Sequence, residues 1–86
     1  MFDRTNENYV YELVSKNMKK QRKIKGLTQE QLAHKMAYST QFISNIESKN
    51  FQTFSLGTLW RFSLVMDIDI RLLFDEDIMD KKEVKK

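Results

Sequence analysis

The chain has 86 residues with no cysteine and no proline, which allows one domain with a modest core and excludes both a disulfide staple and a cysteine-based zinc site. Fifteen lysines and arginines oppose twelve aspartates and glutamates, for a formal net charge of +3. No apolar run approaches the length of a membrane span, and the acids and amides of MFDRTNENYVYEL are not those of a secretory signal. The simplest expectation is a soluble protein with no membrane partner, at home in a reducing cytoplasm and stabilised by helices.

The first helix is predicted from about Asn6 to Lys25, with Gly26 supplying its C-terminal cap. Val10, Leu13, Val14, Met18 and Ile24 form its core stripe; Lys16, Lys19, Lys20 and Lys23 form its wet side. Taken alone, such lysines are an ordinary solvated face. The distribution of charge says more than the total. From Lys16 to Asn50 eight basic residues face two acidic ones, whereas from Asp67 to Asp80 six acidic residues face only Arg71.

Thr28 has the chemistry of an N-cap, and Gln31 three residues later completes a capping box, so a second helix starts at Gln29. Leu32, Ala33 and Met36 fall on one side of it, and Ala33 is small enough for another helix to approach closely. The pattern breaks at Ala37-Tyr38. Ser39 offers a new N-cap, so a third helix begins at Ser39 or Thr40, with Phe42, Ile43 and Ile46 apolar. Its other face carries Thr40, Gln41, Ser44, Asn45 and Ser48, short side chains with hydrogen-bonding tips and no charge. Such a face suits the base edges of a major groove: Gln and Asn can pair bidentately with adenine, and Ser or Thr with several bases.

A fourth helix is predicted from near Ser55, with Leu56, Leu59, Phe62, Ser63 and Met66 turned inward. A fifth would start at Asp69 and bury Ile70, Leu73 and Phe74. Trp60, Phe51 and Phe54 have two readings, packing in the core or under a loop, or an exposed dimer contact. The tail DEDIMDKKEVKK has too few apolar residues to bury itself and reads as a flexible segment.

The stretch TQEQLAHKMAYSTQFISNIE resembles the helix-turn-helix of the lambda-repressor-like (XRE, Cro/cI-type) DNA-binding family. The motif begins on Gln29, places a small residue at Ala33 and puts branched aliphatics at Ile43 and Ile46. MKKQRKIKGLTQ is similar to the end of the family's first helix, and SLGTLWRFSLVMDIDIRLLF to its last two. Two departures stand out: the family usually has Gly where this chain has Ala37, and its usual Asn-Gly is replaced by Ser48-Lys49-Asn50. Ala37 would then adopt a left-handed conformation at a cost of about 1 to 2 kcal/mol.

The resemblance implies an all-α, compact five-helix domain at residues 16–74, with the motif at 29–48. Residues 1–15 would be an N-terminal extension leading into the first helix, and 75–86 a charged, flexible tail. It also implies an ion pair between Arg22 and Glu47. The resulting expectation is a small transcriptional regulator, a repressor, that binds double-stranded DNA. Thr40, Gln41, Ser44 and Asn45 would contact bases, while Gln29, Ser39, Lys49 and Asn50, with Lys23, would contact the backbone. The family likeness favours a homodimer on a palindromic operator. Two alternatives stay open: an antitoxin that also represses its own operon, using the acidic C-terminal region against a basic toxin, and a protein-interaction domain that has lost DNA binding.

Other chemistry has little support. His34 stands alone on a polar helix face, without the partners of a metal site or a catalytic group. The aspartates around Asp67 and Asp75 lack the Gly and closing Glu of a calcium loop, and two glycines cannot form a phosphate-binding loop. The chain is therefore expected to be neither an enzyme nor a cofactor protein.

Overall fold

The computed structural model describes residues 5–48 and 52–79. It is built from α1 (Tyr9–Ile24), α2 (Gln29–Met36), α3 (Thr40–Glu47), α4 (Leu56–Met66) and a short 3-10 helix, Ile70–Phe74. There is no strand among the described residues, so the fold is all-α. α1 packs against α3, α4 and the 3-10 helix, and α2 packs against α3 and α4.

Local chemistry sets most of the boundaries. The Thr28 capping box is complete: the Gln31 N–H donates to Thr28 Oγ1 at 3.0 Å and the Thr28 N–H to Gln31 Oε1 at 2.9 Å. Ser39 is the N-cap of α3, its Oγ accepting from the Phe42 N–H at 3.1 Å, so the helix proper starts at Thr40. Ser55 does the same for α4 through the Thr58 N–H at 3.1 Å. α1 starts at Tyr9 and not at Asn6, because Asn6 is used in a turn, its side chain and carbonyl accepting from the N–H groups of Asn8 and Tyr9. The fifth element is a 3-10 helix whose first turn is capped by the Asp69 carboxylate.

Three helices end in the same way. Beyond α1, the Leu27 N–H reaches the Arg22 carbonyl and the Gly26 N–H that of Lys23. The same two-bond closure follows α2, from Tyr38 to Ala33 and Ala37 to His34, and α4, from Ile68 to Ser63 and Asp67 to Leu64. It requires a left-handed residue, supplied by Gly26 (φ 72°), Ala37 (φ 63°) and Asp67 (φ 56°). Ala37 thus takes the strained conformation its place in the motif demands.

The core is made by Val14, Met18, Leu32, Ala33, Met36, Ile43, Ile46, Leu59, Phe62, Met66 and Leu73. Four residues expected inside are exposed: Val10 (40 %), Ile24 (63 %), Leu56 (76 %) and Phe74 (43 %). Each lies in the first or last turn of its element, where a stripe that is correct in phase runs past the body it packs on. Leu56 shares the outer face of α4 with Trp60, at 56 % exposure, so the core reading of Trp60 is wrong. Phe54 is half-buried and meets Tyr11 edge-on at 5.2 Å, while Phe51 lies outside the described residues. At the C-terminal end Met79 is buried, so the segment starting at Asp75 carries an apolar anchor its composition did not suggest.

One buried polar residue had no sequence signal. Asn17 sits inside α1, 2 % exposed, and its Nδ2 donates to the carbonyls of Leu73 (2.9 Å), Asp75 (3.0 Å) and Leu13 (3.3 Å). It satisfies carbonyls at the end of the 3-10 helix that would otherwise lose their partners on burial, and so holds the C-terminal segment against α1.

Candidate nucleic-acid interface

The site is organised by what stands behind α3. Ala33, 2 % exposed, gives α2 and α3 a close contact, and Ile43 and Ile46, each 1 % exposed, fix the rotation of α3 about its own axis. With those two residues inward, helical periodicity turns the opposite side of α3 outward. Thr40 and Gln41 are exposed there, and Ser44 and Asn45 half-exposed.

Gln41 and Asn45 are not independent. Gln41 Nε2 donates to Asn45 Oδ1 at 2.8 Å, one turn along the helix. This leaves the Asn45 amide nitrogen as a two-proton donor and the Gln41 carbonyl as an acceptor. The Ser48 hydroxyl donates back to the Asn45 carbonyl at 2.9 Å and closes the end of the helix.

The far end of α3 is held by Glu47. Its Oε2 accepts from Arg22 Nε at 2.8 Å, and its Oε1 from Arg22 Nη2 at 3.0 Å and from Gln29 Nε2 at 2.9 Å. Arg22 also donates to the Leu27 carbonyl. One carboxylate therefore joins the end of α1, the start of α2 and the end of α3. Three hydrogen bonds, two of them from a cation, are what a buried charge needs. Each nitrogen of the Arg22 guanidinium thus has an acceptor inside the fold.

The third donor was not foreseen. Gln29 was expected to offer its amide to a phosphate, and the structure commits one of that amide's protons to Glu47. The other proton remains, as do the backbone N–H groups of Gln29 and Glu30, which have no acceptor within the helix, while that of Gln31 is taken by Thr28 Oγ1. An anion could be held at this helix N-terminus without rearranging the side chain. Ser39 uses its hydroxyl oxygen as a cap acceptor, leaving its own proton to donate. Lys49 and Asn50 lie outside the described residues.

The turn between α2 and α3 is braced by α4. Arg61 Nη1 donates to the Met36 carbonyl at 3.0 Å, at the negative end of α2, and its guanidinium lies 5.1 Å from the centre of the Tyr38 ring. Tyr38 shares a hydrogen bond with Thr58 at 3.2 Å and stacks edge-on against Phe42 at 5.0 Å. Arg61 was missed because an arginine on the exposed side of a helix has no local signature; only the fold brings it to the end of another helix.

Lys16, Lys19, Lys20 and Lys23 of α1, and Lys25 just after it, are all exposed. His34 is exposed too, and among the described residues no cluster of His, Cys, Asp and Glu could hold a metal ion. No described helix is long and apolar enough to cross a membrane.

Compared with family models, residues 18–73 match one described as helix-turn-helix. Neither a search of curated proteins nor one of solved structures finds a match to the chain.

Proposed function

The chain belongs to the lambda-repressor-like (XRE, Cro/cI-type) helix-turn-helix family of DNA-binding transcription regulators, and from that premise we propose that it is a small repressor reading a palindromic operator as a homodimer. α3, from Ser39 to Ser48, enters the major groove. The observation that carries this reading is the outward, uncharged face of Thr40, Gln41, Ser44 and Asn45, on a helix whose inner side is buried at Ile43 and Ile46 and whose end is tied down by Arg22 and Gln29 through Glu47.

Base contacts fall to Thr40, Gln41, Ser44 and Asn45. Gln29, Ser39, Lys49 and Asn50 serve the phosphates, Gln29 through its remaining amide proton and the backbone N–H groups beside it. The exposed lysines of α1 add sequence-independent attraction that weakens with salt. The competing reading, an antitoxin, draws on the exposed acids Asp67, Asp69, Asp75 and Asp77, which would suit a basic toxin. A toxin-like reading frame beside the gene would favour it.

The test is selection of binding sites from random duplex, followed by sizing of the complex. Two related half-sites about one helical turn apart, roughly 34 Å, are expected. Recovery of no enriched sequence, with no salt-dependent binding to any duplex, would overturn the proposal.

A further inference from the structure

The homodimer reading above leaves open which surface joins the copies, and the outer face of α4 answers it. Leu56, Trp60 and Leu64 recur every fourth residue along that face and are 76 %, 56 % and 62 % exposed. Isolated exposed apolar residues are ordinary, but three in a row on one helix are an unpartnered stripe.

Gly57 lies on the same face. Inside a helix, glycine is about 1 kcal/mol less favourable than alanine. Among the described residues nothing requires it, since a Cβ there would meet only Ser55 Oγ, at an ordinary 3.6 Å. The bare backbone leaves a notch one turn before the largest side chain of the stripe.

Charge selects the occupant. Under a two-fold axis each surface patch meets its own copy, so like charges oppose one another. That disfavours the lysine face of α1 and the acidic stretch after Asp67. The α4 face carries one charged group, Arg61, and it is already turned to the Met36 carbonyl. The ends of α4 are complementary as well: there is no acid in its first turn and no base in its last, and Asp67 follows its C-terminus. An antiparallel second copy would bring its acidic C-terminal end to the unbalanced positive N-terminal end of the first.

We infer that two copies of this chain associate through α4, antiparallel about a two-fold axis passing near Trp60, so that Leu56 of each copy meets Leu64 of the other and the Trp60 rings use the space left beside Gly57. Because Arg61, Tyr38 and Thr58 connect α4 to the α2–α3 turn, this contact also sets the spacing of the two α3 helices.

The experiment is done without DNA, so that its failure is separate from failure of the DNA-binding reading. Sedimentation equilibrium and Trp60 emission, from the only tryptophan in the chain, are followed from about 1 µM to about 1 mM, a range spanning weak to moderate association. Monomer should convert to dimer while the emission moves to shorter wavelength with the same midpoint. Leu64→Lys should raise the dissociation constant at least about tenfold, since burying an unpaired ammonium is costly. Gly57→Leu should do the same by filling the notch. Both variants should keep the far-ultraviolet dichroism of the parent. A parent that stays monomeric, a dimer whose Trp60 emission does not change, short-wavelength emission from a monomer, or variants that dimerise like the parent would each overturn the inference.

Discussion

Arg22 and Glu47, 25 residues apart, meet fork to fork, with Nε on Oε2 at 2.8 Å and Nη2 on Oε1 at 3.0 Å. Their side chains are 9 % and 2 % exposed. Removing one partner should cost much more than replacing both. Arg22→Ala is expected to destabilise by about 3 to 5 kcal/mol, because it strands a buried carboxylate, whereas Arg22→Met with Glu47→Leu should recover most of that loss. Urea denaturation of the three proteins measures this, and a double variant as unstable as the single one would refute it.

Ala37 is the one non-glycine residue in the helix-turn-helix turn with a left-handed backbone, φ 63° and ψ 38°. Glycine removes the Cβ clash there but enlarges the entropy of the unfolded chain. Ala37→Gly should therefore stabilise by about 0.5 to 1 kcal/mol, a rise of several degrees in melting temperature for a domain this small. Calorimetry showing a lower melting temperature would count against the strain argument.

Asn17 Nδ2 serves carbonyls on two elements, α1 and the end of the 3-10 helix. Asn17→Ala should cost about 1 to 3 kcal/mol by leaving buried acceptors unpaired. The loss should appear first as faster amide hydrogen exchange around residues 72–76. Uniform acceleration across all helices would show that Asn17 does not act through this segment.

Asn45 and Lys49 should separate specificity from affinity. Asn45→Ala is expected to lose about 1 to 3 kcal/mol on the selected operator and to relax preference at one base pair. Lys49→Ala should weaken cognate and random duplex alike and flatten the salt dependence. Titrations of both duplexes at several salt concentrations distinguish the two. Because Gln41 is bonded to Asn45, Gln41→Ala combined with Asn45→Ala should cost less than the sum of the single changes.

Asp69 is held at a pKa of about 2, below its ordinary 3.8, chiefly by hydrogen bonds from the Arg71 side chain and backbone. A lowered carboxylate pKa stabilises the folded state above the ordinary value, and the contribution disappears as pH falls from about 4 to about 2. Carbon NMR titration should place the Asp69 midpoint near the lower figure, and Arg71→Gln should move it upward. An unchanged midpoint in that variant would remove Arg71 as the cause.

Much of this protein was legible in its sequence because the determinants are local. Thr28, Ser39 and Ser55 cap helices through groups three residues away, and Leu32, Met36, Ile43 and Ile46 mark inner faces by helical spacing alone. The left-handed turn at Ala37 and the pairing of Arg22 with Glu47 came from resemblance, and both are present in the structure.

What required the tertiary structure depends on residues far apart in the chain. Burial at Val10, Ile24, Leu56 and Phe74 is decided by where neighbouring elements stop, which periodicity does not encode. The roles of Asn17, Arg61 and Gln29 arise because a donor on one element meets an acceptor on another. A sequence specifies which groups can form hydrogen bonds and which faces are apolar; only the packed chain decides which of them find a partner and which, like the outer face of α4, are left exposed.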